Sequence, residues 1–238
     1  MGLQVNIEKI KYMKSGRSSN RSNNIRIGDD EFDVVHNFVY LGSCVNNTND
    51  ITQEIKRRIM LANRTLYGLS RILRSKFVRR NTKVKIYKTL IIPVLMYGVE
   101  SWVLTQADES MLGILERKVL RMIYGPTYDA GMLRIWYNHD FYQLYQDSNI
   151  VCKIRKRQIR WLGHVYRMQT DAPPKKIAFA RNVGGQRRAG NPGTRWLIGL
   201  ENELSRKNVR DWRSKAVNRE EWRAVVDRFW FTDGSNNH

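Results

Sequence analysis

The sequence predicts an α+β fold, mainly α, in which short N-terminal β strands lead into a long helical remainder. Three observations carry that reading. Up to about residue 48 the apolar residues fall in short runs bounded by turn formers; from residue 51 they recur at steps of three and four; and Asp, Thr or Asn stands where each helical run begins. An apolar fraction of 42% is enough to build a packed core.

Residues 10–13 alternate weakly, and the Ser/Asn/Arg/Gly-rich run 15–24 reads as a loop. The runs 25–27 and 32–35 flank Gly28-Asp29-Asp30 and predict a hairpin; 38–45 reads as one further strand ending at Asn46-Asn47. Asp50-Ile51-Thr52-Gln53 opens the first helix. Ile51, Ile55, Ile59, Ala62, Leu66, Leu69 and Leu73 then form one apolar stripe, with Lys56, Arg57, Arg64, Arg71 and Arg74 on the other face. Asn81 is expected to cap a second helix running to about Tyr97, bent at Pro93. Thr105 to Asp108 opens a third, which carries Leu112, Leu115, Val119 and Met122 and stops at Gly125-Pro126. Residues 140–168 read as one helical stretch, 170–194 as loop and 195–207 as helix, and Asn218-Arg219-Glu220-Glu221 caps a last helix with Trp222, Val225, Val226 and Phe229. The expected regions are 1–48, 49–125 and 126–238.

Charge narrows the function. The chain holds 42 Lys and Arg against 22 Asp and Glu, a formal net charge of +20. Between Lys153 and Trp196 twelve basic residues face one acid, Asp171. Such a run repels itself unless solvated or matched by a polyanion, and a nucleic acid gains from releasing condensed counterions. Two cysteines, Cys44 and Cys152, are too few for a disulfide framework. No signal peptide or bilayer-length apolar run is seen, so an intracellular, non-secreted protein without a membrane partner is expected.

Several patches, in order, match one family. Gly2-Leu3-Gln4-Val5-Asn6 followed by Lys11, and Phe38-Val39-Tyr40-Leu41-Gly42, come first. Tyr97-Gly98-Val99-Glu100-Ser101-Trp102 and Arg160-Trp161-Leu162-Gly163-His164-Val165-Tyr166-Arg167-Met168 follow. Gly190-Asn191-Pro192 with Arg195-Trp196, then Arg219 with Trp222, complete the series. Together they resemble the C-terminal part of the reverse transcriptases of non-LTR (LINE-type) retrotransposons. The resemblance implies a palm remnant (1–48), a helical thumb-like region (49–125) and a basic helical C-terminal region (126–238). It also implies an origin in an RNA-directed DNA polymerase and RNA or DNA as partner, with the rest of the polymerase as a further partner. That family's paired catalytic aspartates hold two divalent metals, and they precede the segment matched by Gly2 to Lys11. No cofactor or catalysis is therefore expected of this chain alone; Mg belongs to the other half. The family usually carries Arg where Asn191 stands here.

Other constellations are weaker. Asp29-Asp30 sits between two apolar runs and reads as a polar turn. Cys152, His164 and His139 lack the short paired spacing of a zinc site. His164 is expected to bond a backbone carbonyl in a packed corner, the alternative being a phosphate or base edge, and Trp161, Trp196, Trp212, Trp222 and Trp230 to pack in a core, the alternative being platforms for base stacking. The candidate phosphate contacts are Lys56, Arg57, Arg64 and Arg71 on the first helix, Arg155, Lys156, Arg157, Arg160 and Arg167 in the basic helix, and Arg187, Arg188 and Arg195 beyond it. The alternative is a helical interaction protein, reused by a host cell, whose basic surface meets an acidic protein.

Overall fold

Helices account for most of the backbone, as the spacing of apolar residues requires. The structure is a computed structural model that describes residues 10–14, 24–28, 30–129, 131–134, 136–180 and 196–229. The matches at Gly2–Asn6 and Gly190–Pro192, the loop 15–23, Asp29, Arg187, Arg188, Arg195 and Trp230 lie outside those residues. The chain divides into two units, Met1–Met60 and Leu61–His238.

In the first unit, β1 (Lys11–Tyr12), β2 (Ile25–Ile27) and β3 (Asp30–Val34) form one sheet in the order β1-β3-β2. β1 runs parallel to β3, and β2 pairs with it antiparallel as the hairpin reading expected, Ile25 opposite Phe32. Residues 38–45, expected as one strand, are a second hairpin, β4 (Asn37–Tyr40) and β5 (Ser43–Asn46). Leu41 and Gly42 turn it with φ of 46° and 79°, the left-handed pair that a tight two-residue hairpin demands. Leucine in that region costs about 1–2 kcal/mol, and a clamp holds the turn. Glu54, 1% exposed, accepts from the Cys44 N–H at 2.7 Å and from Arg58 Nε at 2.5 Å. Arg57 donates to the Gly42 carbonyl at 2.9 Å, and Arg58 reaches the same oxygen. Val39, Tyr40, Leu41 and Val45 stay exposed.

α1 (Thr52–Arg74) crosses the division between the units. Asp50 accepts from the Thr52 N–H at 2.9 Å and opens it. The second unit begins within α1 and continues through α2 (Arg80–Ile86). Asn81 does not cap α2: Arg79 holds that place, extended at ψ 143°, and its carbonyl takes the N–H of Thr82 and Lys83. The expected bend at Pro93 takes a specific form. A π turn, Tyr87–Ile91, leads into α3 (Ile92–Leu95), and the Ile92 N–H bonds the Tyr87 carbonyl five residues back. A proline cannot continue the α ladder because it lacks the N–H, and the wider turn absorbs that break. A 3-10 turn, Val99–Ser101, then precedes α4 (Gln106–Tyr124), which opens at Thr105–Asp108 as expected, through a capping box, and ends at Gly125 with φ 68°.

The strands β6 (Thr127–Asp129) and β7 (Met132–Arg134) form a hairpin absent from the sequence reading. The stretch expected as one helix over 140–168 is two, α5 (Asn138–Tyr145) and α6 (Ile150–Arg167). Gln146 turns left-handed at φ 50°, and the Asn149 side chain caps α6 by accepting from the Cys152 N–H at 2.9 Å. α7 (Pro173–Phe179) begins on the proline pair inside the expected loop. α8 (Trp196–Arg206), α9 (Trp212–Val217) and α10 (Arg219–Asp227) follow, the last capped by Asn218.

A buried carboxylate ties this unit together. Glu116 of α4, 1% exposed, accepts from the hydroxyls of Tyr87 (3.2 Å) and Tyr142 (3.0 Å) and from the Ile150 N–H (3.0 Å). One side chain thus joins the π turn, α5 and the start of α6. Burial raises the pKa of Glu116 against the opposing pull of those donors and Lys153. Asp147 differs. Burial alone would raise it, but the Lys88 hydrogen bond at 2.6 Å, the Lys153 charge at 3.3 Å and the Ser148 N–H hold it below the usual carboxylate value.

The last helices enclose their own core of Ile159, Leu162, Leu200, Leu204, Trp212, Trp222, Val225 and Val226. Gly163 admits the closest approach there: a Cβ would stand 1.9 Å from Trp222 Nε1, which donates to the Ile159 carbonyl at 3.1 Å.

Two predictions follow from these contacts. Gly163→Ala forces the indole off α6 and lowers stability by about 1–3 kcal/mol, whereas Gly68→Ala, with open space around its Cβ, raises it by up to about 1 kcal/mol; thermal unfolding of the two variants checks the opposite signs. Asp147, with its folded pKa depressed, contributes stability above the ordinary carboxylate range that is lost as pH falls through its folded value. Denaturant unfolding of Asp147→Asn should therefore show a shallower stability loss below about pH 4 than the parent chain, and equal slopes in both would overturn the assignment.

Candidate nucleic-acid interface

α6 turns by about 100° per residue, which places Lys156, Arg157, Arg160, His164 and Arg167 on one side and Arg155 on the other, with Leu162. Gln158 fixes that orientation. It is fully buried, and its side-chain amide donates to the carbonyls of Val99 and Trp102, both at 2.9 Å. Trp196 donates to the Glu100 carbonyl at 2.7 Å. The motif patches at 97–102, 160–168, 196 and 219–222 therefore meet around α6, joined by hydrogen bonds and packing.

The charge balance of α6 differs from its balance in the sequence. Arg155, expected at a phosphate, lies within 2.6 Å of Glu109 and 3.9 Å of Glu203 and also bonds Gln158; its guanidinium is an internal tie, because the core side of the helix leaves it carboxylates instead of solvent. Arg157 bonds the Glu100 carboxylate at 2.8 Å and the Met96 carbonyl at 3.2 Å, with its side chain still 47% exposed. Lys156 pairs with Asp227 at 3.0 Å. Arg167 donates to the Ala216 carbonyl at 2.6 Å. Arg160 and His164 are exposed.

α10 adds two cations that the sequence reading missed, Arg219 and Arg223, both exposed. Their signal was present as an i, i+4 pair flanking the apolar Trp222 and Val226. Arg223, Arg160 and Lys156 surround Asp227: the Lys156 hydrogen bond and charge, joined by the two arginines, hold its carboxyl below the usual range. Burial and the nearby Arg219 in turn lower the pKa of Arg167. Lys156, Arg160 and Arg223 thus gather around Asp227, and Arg167 lies near Arg219, on two helices whose acids are Asp227, Glu220 and Glu221.

In the second unit's part of α1, Arg64, Arg71 and Arg74 are exposed beside Tyr67, itself 84% exposed, and no acid occurs between residues 61 and 74. Ala62, Leu66 and Leu73 are buried on the opposite side. In the first unit Lys56 is exposed, while Arg57 is engaged by the hairpin clamp.

His164 departs from its expected packed corner: it is exposed, its ring centroid 5.1 Å from that of Trp161. Trp212 and Trp222 are buried as expected, and Trp196 packs against the same core, but Trp161 is half-buried and does not belong to it. Cys152 is buried. Among the described residues no group of His, Cys, Asp and Glu is placed to hold a metal ion, and no helix is long and apolar enough to cross a membrane.

No known family profile and no solved structure matches the chain. It is 24% identical over 237 residues, covering 96% of this chain and 84% of the other, to a Caenorhabditis elegans protein described as uncharacterized and transposon-derived. That likeness supports a transposon origin.

Proposed function

We propose that this chain is the nucleic-acid-holding part of a retrotransposon-derived reverse transcriptase, inactive as a polymerase by itself. It grips RNA or DNA through phosphate, with template–primer against the thumb-like first helix and template RNA or target DNA on the later basic helices. The observation that carries the reading is the α6–α10 surface, where Lys156, Arg160, Arg167, Arg219 and Arg223 outnumber the acids of the same helices, Asp227, Glu220 and Glu221. The α1 face with Arg64, Arg71 and Arg74 is a second basic surface, and its exposed Tyr67 suits a nucleic acid better than a solvated helix. Contacts of this kind position a strand without reading its sequence.

One observation favours the alternative of a basic scaffold for an acidic protein. Arg155, Lys156 and Arg157 spend much of their charge on carboxylates of the same chain. Competition between heparin and a mixed-sequence RNA–DNA hybrid separates the two: equal displacement per charge favours the scaffold.

With about six phosphates engaged, log K falls against log salt with a slope of roughly −4 to −5. Arg160→Glu combined with Arg219→Glu and Arg223→Glu should weaken binding alike for all sequences, while Arg155→Glu should unfold the α6 contacts first. Fluorescence anisotropy across a salt series checks both, and a slope near zero removes the nucleic-acid reading.

A further inference from the structure

Phosphate contacts alone do not say whether the strand is paired. We infer that the α6–α10 surface takes unpaired nucleic acid, with Trp161 and His164 forming a shelf on which a base stacks between flanking arginines; this rests on the nucleic-acid reading above. Trp161 stands at the margin of the basic side of α6, next in sequence to Arg160 and one turn from Arg157. Its ring and that of His164 lie 5.1 Å apart at 39°. Elsewhere in the described C-terminal core the indoles are used for packing: Trp212 is 4% exposed and Trp222 2%. Trp161 is left half-exposed beside an exposed imidazole. Two flat rings amid cations gain little from a duplex, whose base faces are already stacked on each other. They gain from a strand whose bases are free, where each stacked base contributes about 1–3 kcal/mol by alanine substitution.

The competing explanation is a pair three residues apart that merely stiffens the helix. The decisive probe is an abasic strand, which keeps every phosphate and removes the bases. Anisotropy titrations of the full chain should compare a mixed-sequence single strand, the abasic strand of equal length and the duplex, all at one salt concentration. The single strand should bind roughly tenfold tighter than the other two. Trp161→Ala should lose between about fivefold and a hundredfold on the single strand and leave the abasic strand unchanged. His164→Ala should also weaken the single strand, and His164→Phe should restore it. Because His164 is exposed, those two variants keep the test open if Trp161→Ala folds poorly. Equal affinity for normal and abasic strands, or a Trp161→Ala loss shared by all three probes, overturns the inference and leaves the phosphate reading standing. No salt-dependent binding to any probe sinks the phosphate reading itself.

Discussion

The rotation of α6 about its own axis decides which of its cations face water, and the buried amide of Gln158 sets that rotation. If the helix turned, the Trp102 carbonyl would lose the Gln158 amide and the Val99 carbonyl would keep only the Trp102 N–H at 3.2 Å, and an unmet buried acceptor costs about 1–3 kcal/mol. Arg155 must then face Glu109 and Glu203, and Arg160 must face out. Gly163 is fixed by the same orientation, since it has to lie under the Trp222 indole. The basic surface is a product of core packing as much as of composition.

Much of the architecture was legible in the sequence because periodicity reports burial directly. The stripe from Ile55 to Leu73, the Thr105–Asp108 box and the Asn218 cap all fell where the residues required. The misses have physical causes. Phe38 to Val45 hides its turn because Leu41, which disfavours a left-handed φ, is held there by distant Arg57 and Arg58. The α5–α6 break hides because apolar spacing resumes soon after Gln146, although Asp147-Ser148-Asn149 is a recognisable stop and cap. For the interface, a run of arginines reveals sign but not partners. Arg155 finds its acid 46 residues upstream and Lys156 finds one 71 residues downstream, so the uncompensated charge of the linear chain is partly settled by folding.

Glu116 acts on the other half of the unit as Gln158 acts on α6. A carboxylate shielded from water is tolerable where donors surround it, and three arrive from three separate segments. Burial also raises the pKa of the hydroxyls of Tyr87, Tyr142 and Tyr145, so all three remain donors under ordinary conditions. The aromatic rings therefore supply polar cross-links as well as bulk.

The π turn at Tyr87–Ile91 has a consequence for how this segment tolerates change in length. Such a turn accommodates one residue more than the α-helix around it. Losing one of its residues would return the helix to ordinary α geometry with the segments before and after it still in phase. The same loss inside α2 or α4 would instead swing what precedes it by about 100°. Length is forgiving at this turn, provided Tyr87 keeps its reach to Glu116, and strict on either side of it.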